Sequence, residues 1–463
     1  MNLDLNRARD EMETLQLARN VAREFLLWRK LGYAVGGLGT DLAFNAISFY
    51  LIFYLITVAG IPPVTAGLLV AVPKIILIPL DPMVGVLTDR VRSSLGRRRF
   101  FLLICGPLSG LLFCMQFHMP IGLNVQALMA YWWIVQFVYT ANFSLLMVSY
   151  NAMEAELSSS STERMQLVSM RQGLGILGTL GGSALTLVMV GLLGGGRTGF
   201  TGMGMVFGAL VASSFLTVFA STRPETPIRD ASPSFRKEAR LTLGLKPFRI
   251  QLGVTFLVTM ATVVSNAIVV FYADYVHDLA DLVPLVMLLS AATALVSILG
   301  WNWLATRWDR RGVFAIGLII QAAVLLGLRF APYRSMELLL TLVGLTGVGS
   351  AAMSIFPRAM LTDVIAFDRS SQGRSRAGNI VGLWSLGNRA GLAIGNALAG
   401  WLLALVGYGE GATVTPQLQE GLRMIIGYVP SAFCLGTIPL LALFTLSRAD
   451  MKRVEETIRQ RAR

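Results

Sequence analysis

Charged and amide side chains occur at helical spacing in apolar stretches near the start of the chain. Asp41, Asn45 and Ser48 are four and three residues apart, so an α-helix would place them on one face. Lys74 and Asp81 also share a face, with about 10 Å of axial rise between them. Ionisable side chains inside a membrane are costly and therefore indicate function. We expect Asp41 and Asp81 to border a water-accessible cavity; solvation at a helix end or pairing with a loop arginine is the structural alternative.

A second group of polar side chains lies far along the chain. Trp384 and Asn388 share a helical face, and Arg389 lies beside them. An indole ring stacks and a guanidinium donates forked hydrogen bonds, so this group suits a polyhydroxylated or anionic ligand. The alternative is that Trp384 only packs and that Arg389 reaches to water.

Motifs for other chemistry are missing from the sequence. It contains no HExxH motif, no cysteine cluster and no Walker A sequence, so we predict no metal site, no cofactor and no enzyme. Gly173, Gly175 and Gly178 match GxGxxG, but the match lies in an apolar helix instead of between a strand and a helix. This match, and the glycines at every fourth position over 387–395, predict close helix packing.

Membrane-spanning helices must position these residues. Hydrophobic residues make up 54% of the 463 and charged residues 14%, against about 25% charged in a typical soluble domain. Apolar runs of about 20 residues, enough to cross a bilayer core of about 30 Å, occur twelve times. The predicted fold is an all-α membrane protein with twelve transmembrane helices at 38–59, 63–88, 99–120, 125–149, 166–193, 201–221, 248–273, 282–304, 312–331, 336–361, 378–406 and 422–447.

The distribution of charge divides the chain into two halves. The longest polar gap separates six runs from six, and arginine-rich loops recur at the same place in each half, at 89–99 and 306–312. Repeated halves are typical of secondary transporters. The predicted units are an N-terminal segment 1–29, a six-helix half 30–221, a linker 222–247, a six-helix half 248–447 and a tail 448–463.

Lysine and arginine also predict orientation. The loops 58–65 and 119–126 contain neither residue, whereas the alternate loops and both termini are basic. The positive-inside rule then places the basic side, here called the basic face, and both termini in the cytoplasm. The net charge of +13 reflects this orientation rather than nucleic acid. We expect a multi-pass protein of the cell membrane whose partners are the bilayer and a small-molecule solute, without an obligate protein partner.

The segments KLGYAVGGLGTDLAFN from Lys30, LDPMVGVLTDRVRSSLGRRR from Leu80 and GNIVGLWSLGNRAG from Gly378 resemble the glycoside–pentoside–hexuronide:cation symporters of the major facilitator superfamily. The resemblance covers nearly the whole chain. It implies the major facilitator fold and cation-coupled solute transport by alternating access. It also implies that Asp41 is the sugar-contacting aspartate of the first helix and that Asp81 belongs to the cation site.

The resemblance assigns roles to other helices as well. Lys74 stands at the position of an arginine, Ser144 at that of a threonine, and Asn151 at that of an aromatic residue of the sugar site. Arg171 matches the arginine that begins the fifth helix, and Arg389 replaces a lysine. The candidate solute-binding residues are therefore Asp41, Asn45, Lys74, Ser144, Asn151, Arg171, Trp384, Asn388 and Arg389.

Two carboxylates of the family's cation site are replaced, by Leu77 and Met147. Because sodium needs several oxygen ligands, we predict coupling to H⁺ in preference to Na⁺, through Asp41 or Asp81, which are the candidate cation-coupling residues. The predicted function is secondary active transport of a small solute, a sugar or a glycoside. The alternative is a lipid-type or uncoupled carrier on the same scaffold. A membrane-embedded enzyme or receptor would need a clustered catalytic set, and the sequence contains none.

Overall fold

The structure is a computed structural model that describes residues 28–77, 88, 91, 93, 95–157, 161–222, 235–277, 283–332, 336–372, 377–408, 415–446, 450–451 and 453–454. The described residues form helices and no strands. The chain has the predicted architecture of two six-helix halves joined by a linker.

The N-terminal half contains helices α1 to α6. Helix α1 covers 28–58 and includes two π-helical segments, Ile47–Leu51 and Tyr54–Val58. Helix α5 consists of Ser161–Leu180, a π-helical segment Gly181–Leu185 and Thr186–Leu192. The other helices are α2 (Pro63–Leu77), α3 (Arg97–Gln116), α4 (Val125–Glu156) and α6 (Gly196–Ser221).

The C-terminal half contains helices α8 to α13, preceded by a short helix in the linker. The bounds are α7 (Phe235–Gly244, in the linker), α8 (Lys246–His277), α9 (Val283–Arg307), α10 (Arg310–Phe330), α11 (Met336–Gln372), α12 (Ala377–Leu405) and α13 (Pro416–Leu443). Within the described residues, nine helices are long and apolar enough to cross a membrane, and Pro63–Leu77 is a shorter apolar helix. Each of the twelve predicted spans falls on one of α1–α6 or α8–α13, and residues 78–87 of the second span lie outside the described residues.

Several helices extend beyond the apolar runs at the basic face. Helix α1 is already present at residue 28 instead of 38, α4 ends at Glu156 instead of 149, and α11 ends at Gln372 instead of 361. The apolar run measures only the hydrocarbon core. A helix satisfies its own backbone hydrogen bonds and can therefore continue into water. The predicted helices were too short at the basic face for this reason.

Local sequence explains several helix ends. The side chains of Asn124, Asp309 and Thr415 accept hydrogen bonds from the first turns of α4, α10 and α13. Gly407 follows α12 with φ of 76°, a left-handed conformation that glycine adopts without strain. This turn directs Tyr408 back into the protein, where it is buried.

Glycines let the helices of each half approach closely. A Cβ on Gly178 of α5 would lie 2.3 Å from the carbonyl oxygen of Leu38 on α1. A Cβ on Gly391 of α12 would lie 3.0 Å from the carbonyl oxygen of Phe256 on α8, and Gly395 meets Val263 of the same helix. The predicted role in helix packing is confirmed for these three glycines, whereas it is wrong for Gly173, where an added Cβ would meet nothing within 4 Å.

The two halves meet most closely through α2 and α12. A Cβ on Gly400 would lie 2.4 Å from the carbonyl oxygen of Pro63, and a Cβ on Gly67 would lie 2.8 Å from that of Asn396. The first π-helical segment of α1 packs against α8, and the π-helical segment of α5 packs against α9. Irregular helix therefore occurs where the halves face each other.

Candidate functional site

A cavity of about 350 Å³ lies between the halves. Helices α1 and α5 line it from one half, and α8, α9, α10, α11 and α13 line it from the other. Its polar lining includes Asn45, Thr179, Thr262, Asn266 and Gln321, and none of the described residues that line it carries a charge. The volume falls in the range of about 300–1,000 Å³ that is usual for small-molecule sites.

Asn45 ties α1 to α5 at the wall of this larger cavity. Its amide nitrogen donates to the carbonyl oxygen of Asp41 at 2.8 Å and to the hydroxyl of Thr179 at 3.2 Å. The predicted common face of Asp41, Asn45 and Ser48 points toward the other half, because Asn45 lines the larger cavity and Ser48 lines a second one.

The second, smaller cavity has a volume of about 160 Å³. Trp384 and Asn388 of α12 line it, together with Arg358 of α11. The indole nitrogen of Trp384 donates to the hydroxyl of Thr255 at 2.8 Å, and the hydroxyl of Thr259 donates to the side-chain oxygen of Asn388 at 2.7 Å. Trp384 is thus fixed by packing and hydrogen bonding while it lines a cavity, and its role in binding a ligand stays a prediction.

The two cavities adjoin each other. Thr262, Asn266, Met353 and Ser354 line both. Helix α11 runs toward the basic face, so Arg358 lies one turn nearer that face than Ser354. The smaller cavity therefore lies on the basic side of the larger one, and the two form a path from the middle of the protein toward the basic face.

Asp41 lies beside this path on α1. A Cβ on Gly175 of α5 would lie 2.2 Å from an oxygen of the Asp41 carboxylate, so the carboxylate occupies the space above this glycine. The charges of Arg171 on α5 and Arg358 on α11 both act on it. The guanidinium of Arg171 lies over the ring of Tyr150, 4.6 Å from the centroid. Asp41 therefore faces cations from both halves.

Arg389 contacts the opposite half directly. Its guanidinium donates to the hydroxyl of Ser144 on α4 at 3.5 Å, and Ser144 is buried. Neither residue is among those that line the two cavities. The contact joins α12 to α4 instead of pointing into either cavity.

Three other predicted residues lie away from the cavities or outside the described structure. Lys74 is half-buried on α2 and lines neither cavity. Asn151 is exposed near the end of α4. Asp81 lies outside the described residues. The structure thus brings Asn45, Trp384 and Asn388 to the two cavities, and the functional roles of all the candidate residues stay predictions.

Sequence reasoning missed the threonines of a polar stripe on α8. Thr255, Thr259, Thr262 and Asn266 follow one another at intervals of four, three and four residues and all line the smaller cavity. Asp41, Asn45 and Ser48 were identified from the same helical spacing. A search of α8 for that spacing would have found the stripe as well. Arg358 was missed too, although a cation that follows a proline inside an apolar run is a detectable signal.

The chain is similar over most of its length to known transporters. Residues 32–448 match the family described as MFS/sugar transport protein, where MFS is the major facilitator superfamily. The putative glycoside/cation symporter YagG of Escherichia coli (strain K12) is 27% identical over 436 residues, covering 93% of this chain and 94% of that protein. The isoprimeverose transporter of Lactiplantibacillus pentosus is 24% identical and covers 92% and 90%. A putative 2,3-dihydroxypropane-1-sulfonate exporter of Escherichia coli is 24% identical and covers 94% and 96%.

Solved structures share the fold. The nucleoside transporter NupG superposes with a TM-score of 0.65 at 13% identity, covering 90% of this chain and 100% of that chain. A bacterial homologue of the human lysosomal transporter Spinster superposes with a TM-score of 0.60 at 14% identity, covering 94% and 97%. The predicted fold and the predicted resemblance are confirmed. The protein is a multi-pass membrane transporter rather than an enzyme, and it belongs to the MFS/sugar transport protein family.

Proposed function

We propose that this protein transports a polyhydroxylated solute, a sugar or a glycoside, by alternating access, with a proton as the coupling ion. The observation that carries the proposal is the larger cavity between the halves. Amides and hydroxyls supply its polar groups, and the described residues that line it are uncharged. Such groups can both donate and accept, as the hydroxyl groups of a sugar require.

Gln321 gives this proposal a specific anchor. It lines the larger cavity, is buried, and its amide oxygen accepts no hydrogen bond within the described structure. A buried polar atom without a partner is destabilising by about 1–3 kcal/mol. This oxygen lies against Gly349, where an added Cβ would be 2.3 Å from it, so we propose that the solute contacts the Gln321 amide from the cavity side, with Asn45 and Asn266 providing further amides nearby.

The names of the relatives support a hydroxyl-rich solute. They include a glycoside/cation symporter, a transporter of isoprimeverose and an exporter of a dihydroxylated sulfonate. The family description also refers to sugar transport. For the present chain we propose only the chemical class that these substrates share, a hydroxyl-rich solute.

Proton coupling is proposed because the two further carboxylates that the resemblance implies are replaced in this chain. Leu77 on α2 and Met147 on α4 offer no carboxylate where the resemblance implies one. Sodium prefers several oxygen ligands, whereas a single carboxylate can bind and release a proton when it is partly buried. Asp41 is half-buried beside the path between the cavities and the basic face. We propose that the basic face is cytoplasmic, as the positive-inside rule predicts.

A ligand panel tests the solute class. The purified protein is screened by thermal shift with three matched pairs, which are glucose and glucuronate, galactose and galacturonate, and glycerol and 2,3-dihydroxypropane-1-sulfonate, together with isoprimeverose and a lysolipid. We expect at least one hydroxyl-rich compound to stabilise the protein, and Asn45→Ala and Thr262→Val to weaken that effect. Stabilisation by the lysolipid alone would favour a lipid-type carrier and contradict the proposal.

Uptake into proteoliposomes tests the coupling. With a compound found in the panel, an imposed pH gradient should drive accumulation, and Asp41→Asn should abolish accumulation while solute exchange continues. Asp81→Asn is assayed in parallel because Asp81 is the second candidate. Glu337→Gln, at the start of α11, is the matched control and should behave as wild type. If accumulation persists in both aspartate variants, or follows only a sodium gradient, proton coupling through these residues is wrong.

A further inference from the structure

Arg358 is an exposed cation on α11, three residues before the end of the predicted apolar run at 361. It lies on α11 directly after Pro357 and lines the smaller cavity. It forms no hydrogen bond with the described residues and no ion pair within 4 Å of their carboxylates. A cation within a membrane-spanning segment is costly unless water or a ligand solvates it. The guanidinium of Arg358 is therefore available to a ligand in the smaller cavity.

The rest of the smaller cavity also favours an anion. The side-chain oxygen of Asn388 is occupied by Thr259, but its amide nitrogen donates to none of the described residues. Ser48 adds a hydroxyl on the α1 side. No carboxylate belongs to the described residues that line this cavity. The Arg358 guanidinium and the Asn388 amide nitrogen are donors without a partner among the described residues, and nearby hydroxyls can donate as well, which suits a carboxylate or a sulfonate.

Asp41 does not neutralise Arg358 by direct pairing. The two charges interact, but they come from opposite halves and are not within ion-pair distance. The positive charge of Arg171 also acts on Asp41, so the carboxylate interacts electrostatically with two cations. A second negative charge can therefore be accommodated beside Arg358.

The adjoining cavities can hold two parts of one molecule. Thr262, Asn266, Met353 and Ser354 belong to the walls of both. One cavity is larger and uncharged, and the other is smaller and contains Arg358 and the indole of Trp384. A solute with a hydroxyl-rich body and one anionic group matches this division.

We propose that the smaller cavity is a subsite for an anionic group of the solute, a carboxylate or a sulfonate, and that Arg358 selects for it. This inference rests on the proposed function, because the larger cavity must hold the hydroxyl-rich part of the same solute. It assigns Arg358 as a specificity-determining residue and limits the substrate class to acidic polyols and acidic sugars.

The experiment compares dissociation constants within the three acid–neutral pairs of the ligand panel, using the full-length protein. In wild type, the acidic member of at least one pair should bind about tenfold or more tightly than its neutral partner. Arg358→Gln should bring this ratio close to one. Arg358→Lys, which keeps the charge but loses the fork, should retain a reduced preference. Arg240→Gln removes the same charge from the linker helix and should leave the ratio at its wild-type value.

The outcomes separate this inference from the proposed function. If neutral members bind and acidic members bind no better, the anionic subsite is overturned while the proposed function stands. If the acid preference persists in folded Arg358→Gln protein, Arg358 is not its source and the inference is overturned. If no member of any pair binds wild-type protein, the proposed function fails and the inference fails with it.

Discussion

The two ends of the interface between the halves differ in kind. Away from the basic face, α2 and α12 touch backbone to backbone at Gly67 and Gly400. There the ring centroids of Phe53 and Phe271 are 5.2 Å apart, and the hydroxyls of Thr57 and Tyr408 are 3.3 Å apart. Toward the basic face, the interface instead contains the two cavities and their polar lining.

This difference shows how the halves are held in the described state. One end is closed by apolar rings and bare backbone, which pack without charge. The other end presents Arg358 and Ser354 as exposed side chains on α11. A carrier of the alternating-access type must reverse this asymmetry in each cycle. The contacts that close the first end and the charges that line the second can be tested separately.

The largest effect should come from Gly400→Ala. Its new Cβ would lie 2.4 Å from the carbonyl oxygen of Pro63 and 2.8 Å from the Cα of Gly67, so α12 and α2 must separate. Overpacking of this kind destabilises a protein by about 1–3 kcal/mol. A lower thermal midpoint of the purified protein and loss of solute exchange would be measured. Gly382→Ala on the same helix meets nothing within 4 Å and is the control. Equal behaviour of the two variants would contradict close backbone packing as the closing contact.

An intermediate effect should come from Gly175→Ala on the other side of the comparison. The added methyl would lie 2.2 Å from an Asp41 oxygen, so the carboxylate must move from its place beside α5. We expect accumulation driven by a pH gradient to fall by about tenfold, the factor for 1.4 kcal/mol. Gly173→Ala, two residues earlier on the same helix, meets nothing within 4 Å and should accumulate solute as wild type does. Unchanged accumulation in Gly175→Ala would show that the position of Asp41 is not critical.

The smallest effect should come from the hydroxyl pair at the closed end. Tyr408→Phe removes the hydrogen bond to Thr57 but keeps the ring packed against Phe271, with centroids 5.0 Å apart. A neutral hydrogen bond contributes about 1 kcal/mol, so the ratio of closed to open protein should change by about fivefold. A double-mutant cycle with Thr57→Val, read from thiol labelling of a cysteine at the closed end, measures this coupling. A coupling energy of zero would show that the hydrogen bond between Thr57 and Tyr408 does not help to close this end.

Most of the fold follows from the sequence because the bilayer imposes it. Each crossing needs a long apolar helix, and the polar linker divides six from six, so hydropathy alone predicts all twelve helices. Helix ends such as Gln372 were missed because a helix continues beyond the hydrocarbon without an apolar signal. The glycine spacing at Gly391 and Gly395 predicted close packing, since small residues every fourth position form one stripe.

The site was predicted less completely because it depends on contacts between distant segments. The common face of Asp41 and Asn45 could be read from spacing. That Arg389 would meet Ser144 across the interface could not, because nothing in either local sequence specifies the partner. The π-helical segments add a further limit. After Ile47 the residues per turn no longer equal 3.6, so a face extrapolated along α1 would drift from the true one.

The meeting of Gly67 with Gly400 has a further consequence. Long side chains lose rotamer freedom whenever two surfaces come together, at a cost of up to about 2 kcal/mol each. A seam made of hydrogen atoms on bare α-carbons has no such freedom to lose. It can therefore part and re-form many times with little entropic penalty, which is what a reusable seal requires.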